Sequence, residues 1–156
     1  MPCNAIIQQA AQLGISPALI LKHPAILQLL AARIQTMTGS AKLAVCPAND
    51  WWPTYYAHLD QLQPIAQVDT SQGVLFFAYD CSFAVLPDGS VQIRDGGNPS
   101  RRPANPAELL AAVTNLIGIT CGLVLQQQVL AQVAQVAQIT SSTTATNGAL
   151  VLTINA

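Results

Sequence analysis

From Leu109 to Ala156 the chain contains no Asp, Glu, Lys, Arg or His. Soluble surface ordinarily carries a charge about once in every four residues. This last third is therefore expected to be covered by its own fold, by other copies or a partner, or by a membrane. Charge is scarce elsewhere too: 8% of the 156 residues, a net charge of −1, and only six Lys and Arg. Wrapping nucleic acid takes clustered cations that displace counterions, so no nucleic-acid partner is expected.

Cysteine motifs are also lacking. Cys3, Cys46, Cys81 and Cys121 stand far apart, with no C-x-x-C and no nearby His pair. The spacing offers neither a zinc site nor a redox pair. The four read as reduced, small apolar residues in a cytosolic setting. No metal and no cofactor are expected. The chain opens without a basic stretch, Gln8, Gln9 and Gln12 interrupt its first apolar residues, and the first Arg is Arg33. Neither a secretory signal nor an Arg-rich transit peptide is expected, which makes the cytoplasm the expected location.

What the chain has instead is apolar residues, 51% of the total, and glutamine spread through its segments. A neutral polar surface is insensitive to salt and repels copies of itself poorly, so a homo-oligomer is expected. The length suits one folding unit. Within it, residues 1–40 read as an N-terminal helical hairpin and residues 41–156 as an α+β domain.

Asn4 to Leu13 reads as a short helix stopped by Gly14. Ser16-Pro17 restarts a helix that Pro24 interrupts, and Ala25 to Met37 continues it until Thr38-Gly39-Ser40. Lys42 to Cys46 is a strand candidate, and Trp51 to Leu62 a short helix. Ile65 to Asp69 and Gly73 to Tyr79 read as strands. Cys81 to Leu86 and Ser90 to Arg94 flank Pro87-Asp88-Gly89, the strongest hairpin signal in the chain. Phe83, Val85, Val91 and Ile93 alternate as one face of that hairpin should. Asn105-Pro106-Ala107-Glu108 starts a helix that runs to about Gln138. Ile139 to Thr144 and Ala149 to Ile154 form a closing strand pair around Ala145-Thr146-Asn147-Gly148. The expected fold class is α+β: a helical hairpin, an antiparallel sheet and one long helix packed on it.

In that helix Leu109, Leu110, Val113, Leu116, Ile117 and Val124 share one face at ~100° per residue. After Gln126 the pattern changes sides, and Val129, Val133 and Val136 form a second stripe opposite Gln128, Gln132, Gln135 and Gln138. Two different surfaces are expected to be contacted. Leu109 to Leu125 is uncharged and carries Gly118-x-x-x-Gly122, which would suit a membrane helix. It is slightly short of the ~20 residues needed to span, is diluted by Thr114, Asn115 and Thr120, and has no basic anchor after it. A buried or interface helix is the preferred reading, and membrane association the alternative.

Two constellations are candidate sites. Trp51-Trp52-Pro53-Thr54-Tyr55-Tyr56 holds four of the eight aromatics. If helical, Trp51 and Trp52 lie near Tyr55 and Tyr56 on adjacent strips, and rings so crowded suit a partner-binding anchor. The competing reading is a helix capping a sheet. With Val129, Val133 and Val136, these four rings are the expected protein contacts. The second constellation, Arg94-Asp95-Gly96-Gly97-Asn98-Pro99-Ser100-Arg101-Arg102, holds three of the six basic residues. Arg94, Gly96, Gly97, Arg101 and Arg102 could cradle an anion. The spacing matches no phosphate-loop motif, and a solvated connector is the simpler reading. No residue stands out as catalytic. His23 and His58 lack a nucleophile signature, and Asp50, Asp60, Asp69, Asp80, Asp88, Asp95 and Glu108 are scattered.

The second half resembles a family of small ferredoxin-like proteins of cyanobacteria, plastids and phages. The residues that carry it are Tyr79-Asp80-Cys81-Ser82-Phe83, the Asp88-Gly89 turn, and the ending Gly148-Ala149-Leu150-Val151-Leu152. The chain lacks the charged helix and basic C-terminal end of that family. The resemblance implies a β-β-α-β order after Gly73 and a ferredoxin-like sandwich, and transfers no catalytic residue. The functional expectation is a non-catalytic assembly or adaptor protein, with a virion part suited by composition alone. A small anion-binding enzyme is the second reading.

Overall fold

The computed structural model describes residues 6–39, 43–48, 65–78, 81–95 and 105–155. The protein is α+β. In chain order the elements are β1 (Ile6–Gln12), α1 (Ala18–Leu21), α2 (Pro24–Thr38), β2 (Leu43–Pro47) and a 3-10 turn (Ile65–Gln67), then β3 (Val74–Ala78), β4 (Cys81–Val85) and β5 (Ser90–Asp95). The long helix α3 (Pro106–Val136) and the pair β6 (Gln138–Thr144) and β7 (Leu150–Asn155) follow. The chain forms two compact units, Met1–Cys121 and Gly122–Ala156.

In the first unit five strands lie in the order β1-β5-β4-β3-β2, all pairs antiparallel. Register places Phe76 opposite Phe83 and Phe83 opposite Ile93, with Val74, Val85 and Val91 in the next row. All six side chains are fully buried. Period-two alternation thus collects the β-branched and aromatic residues on one face. The other face carries the register positions of Leu75 and Phe77 among small or polar residues, Ala44, Cys46, Ser82 and Ala84, with Gln92 and Arg94. β4 is buried at every position, so both faces are covered at the centre of the sheet. The rest of the core comes from Ile20 and Leu21 of α1, Leu27, Leu30, Ala31 and Ile34 of α2, and Leu110, Val113, Ile117 and Cys121 of α3. Those last four lie on one stripe, as the helical spacing requires.

Two hairpins are closed by the same device. Leu86 N–H donates to Ser90 O and Gly89 N–H to Leu86 O; Ala145 N–H donates to Ala149 O and Gly148 N–H to Ala145 O. Gly89 and Gly148 take φ of 88° and 82°, the left-handed position such a three-residue loop demands. The Asp88 and Asn147 side chains each accept the N–H two residues on, a local bond that presets the turn.

Two segments differ from expectation. Within Asn4 to Leu13, expected as a helix, the described residues form strand β1, so the helical part of the expected hairpin is α1 and α2 alone among the described residues. Ile6-Ile7 with Ala10-Ala11 fits either period. Pairing with β5 from Asp95 to Ser90 decides it, because that edge otherwise stays open. Ile65 to Asp69, expected as a strand, opens with the 3-10 turn, after which Asp69 accepts the Ser71 N–H in a tight turn into β3. The closing strands, β6 and β7, pair with each other in a separate two-stranded sheet.

Candidate functional site

The second unit is where the uncharged sequence meets the surface. Its part of α3 begins at Gly122, and β6 and β7 follow after Ala137. None of its described residues is buried. Within this unit Leu123 is 56% exposed, Val136 84%, Val151 50% and Ile154 47%. The expected cover therefore exists within the chain for the α3 stripe from Leu110 to Cys121, and is only partial from Gly122 onward. Of the second stripe, Val129 and Val133 are half-buried and Val136 is open. Polar cover is thin: Gln126 Nε2 donates to Thr144 Oγ1 at 3.5 Å, and Thr140 Oγ1 donates to Thr153 O. Leu123, Leu125, Val136, Val151 and Ile154 thus stand in water with no charged residue anywhere in the unit.

Chemistry-bearing side chains elsewhere are engaged in structural work. Arg94, on β5, is half-buried and donates to Ala48 O at 3.1 Å and to Gln92 Oε1 at 2.9 Å. It pins the end of β2 to β5, and burial draws its pKa below the ordinary guanidinium value. Gly96, Gly97, Arg101 and Arg102, the rest of the expected anion cradle, lie outside the described residues, as do Trp51, Trp52, Tyr55, Tyr56 and His58.

His23 caps α2 through its backbone, accepting the N–H groups of Ile26 and Leu27. Asp69 and Asp88 accept turn N–H groups, which hold both carboxyls below the usual carboxylate range. Asn105 and Glu108 form the expected cap of α3: Glu108 N–H donates to Asn105 Oδ1, and Asn105 Nδ2 to Glu108 Oε2. Cys46, Cys81 and Cys121 are buried, and burial pushes the Cys121 thiol up. Among the described residues no cluster of His, Cys, Asp or Glu could hold a metal ion.

One open groove in the first unit, about 530 Å³, is lined by Ala32, Arg33, Thr36, Met37 and Leu116. The sequence did not flag it, because Arg33 and Leu116 come together only through helix packing. No family model, curated protein or solved structure matches the chain.

Proposed function

We propose that this protein is a non-catalytic assembly protein whose docking surface is the second unit, Gly122–Ala156. One observation carries the reading: a segment without a single charged residue has no buried residue among those described. Exposed apolar area of this kind gains about 25 cal/mol per Å² when another surface covers it. Since the surface is neutral, association through it is expected to depend little on salt. A protein partner or a second copy is the occupant, and the Trp51–Tyr56 rings remain a proposed second anchor.

Light scattering of the full chain, without detergent, at two concentrations and two salt levels tests this. Mass that rises with concentration and ignores salt supports it; a monomer at every concentration that also captures no protein overturns it.

Membrane association is favoured by a different observation: α3 contains an 18-residue window of mean hydropathy 1.8, of which 22% is buried. Against it stands the stripe Leu110, Val113, Ile117 and Cys121, already part of the first unit's core. A spanning helix would have to withdraw those side chains from the sheet domain and leave cavities behind.

A further inference from the structure

Four strands form the edges of the two described sheets: β1, β2, β6 and β7. Three carry a feature that hinders pairing with another chain. A bulge breaks β1 between Ile7 and Gln9, another breaks β6 between Ile139 and Ser141, and the short β2 ends in Pro47, which has no N–H. β7 has none of these: it reads Leu150-Val151-Leu152-Thr153-Ile154-Asn155, without Pro, Gly or charge. We infer that β7 pairs edge to edge, antiparallel, with β7 of a second copy, about a two-fold axis at Leu152. This deepens the assembly reading and rests on it.

The backbone fixes which groups are offered. Ala145 donates to Ala149 O, so that pair is a hydrogen-bonded one. Antiparallel ladders alternate, so Val151 and Thr153 direct their N–H and C=O at β6. Leu150, Leu152 and Ile154 direct theirs away from it, at an edge with no neighbouring strand among the described residues. Water can bond these groups one by one, whereas another extended strand pairs the whole row at once.

The chain itself supplies such a strand. With the axis at Leu152, Leu150 of one copy faces Ile154 of the other, and Leu152 faces Leu152. These are the residues whose backbone groups point outward, so every pair can be hydrogen-bonded. On the opposite face Val151 meets Thr153. Apolar meets apolar, no like charges oppose, and a charged partner gains nothing from a neutral edge. A lone two-stranded hairpin is at best marginally stable in water, and pairing converts two of them into one four-stranded sheet.

The test uses the full chain. Sedimentation across a concentration series is combined with residue-resolved amide hydrogen exchange of the unmodified protein. A reversible dimer is expected, with the amides of Leu150, Leu152 and Ile154 becoming protected as concentration rises. Thr153→Lys, on the exposed face, leaves the hairpin's own bonds intact and places a Lys beside the partner strand. It is expected to raise the dimer Kd about tenfold or more, whereas Leu29→Lys, on the exposed side of α2 in the first unit, leaves it unchanged.

If Val136→Lys dissolves the assembly while the three amides exchange as a free edge, edge pairing falls and the assembly reading stands. If the unmodified chain stays monomeric at all concentrations and binds no other protein, both fall. Co-flotation with phosphatidylcholine vesicles, without protection of the three amides, assigns the surface to lipid and overturns the pairing.

Discussion

Ile117 and Leu123 lie on one uncharged helix, yet truncation should cost them differently. Ile117 is fully buried and Leu123 is 56% exposed. Ile117→Ala removes a side chain from a packed core, a change that costs about 2–5 kcal/mol. Against a total domain stability of about 5–15 kcal/mol, the first unit should melt lower by on the order of 10 °C. Leu123→Ala should change the stability of the free chain by less than about 0.5 kcal/mol. Its effect should appear in association, where a side chain covered by a partner is worth about 1–3 kcal/mol, a roughly five- to 150-fold rise in Kd. Calorimetry at low concentration measures the first pair of values, and sedimentation at high concentration the second. Equal melting losses for both variants would show that Leu123 is already covered within one chain, and the docking surface would be lost. A silent Ile117→Ala would show that α3 does not belong to the first unit's core.

Gly73→Ala should destabilise by about 3 kcal/mol or more, since its new Cβ collides with the Val85 carbonyl and its φ is 91°. Gly148→Ala meets no atom within 4 Å and should cost only the backbone strain of its positive φ, about 1–2 kcal/mol; urea melts of the two variants separate the terms. The Asp88 carboxyl is held below its ordinary 3.8 by the bonds from Ser90. A depressed folded pKa means that its contribution is full above pH ~4 and is lost as pH falls through the lower folded midpoint. An NMR titration should place that midpoint below 3.8, and Asp88→Asn should remove this step from the acid unfolding curve. Cys46, Cys81 and Cys121 should resist an aromatic disulfide reagent at pH 8 until denaturant is added, because burial withholds the thiolate; fast labelling of any of them in the folded protein would contradict their placement.

The legible parts of the fold were those whose signal is local. Pro87-Asp88-Gly89 and Asn147-Gly148 specify turns through their own torsions, and the hairpins they close are present with the expected strands. Asn105-Pro106-Ala107-Glu108 caps α3 with its own side chains. Ile6 to Gln12 was illegible because its short apolar run suits both periods, and only the open edge of β5, about 80 residues away in sequence, selects the strand. The same holds for Arg94. Its place in a Gly- and Arg-rich loop offered an anion site, while the Ala48 carbonyl to which it donates is brought there by the sheet. The candidate docking surface was half legible: the missing charges marked the last third, but not which part of it the chain itself covers.

Local chemistry, then, determined where this chain turns, where its long helix starts, and that its last third must escape water. Whether a neutral residue of that third is sheltered depends on what lies opposite it, and period and composition say nothing of that. Packing of the first unit shelters α3 as far as Cys121. From Gly122 onward the described residues are half-buried at most, and in the proposed reading another molecule supplies the remaining cover.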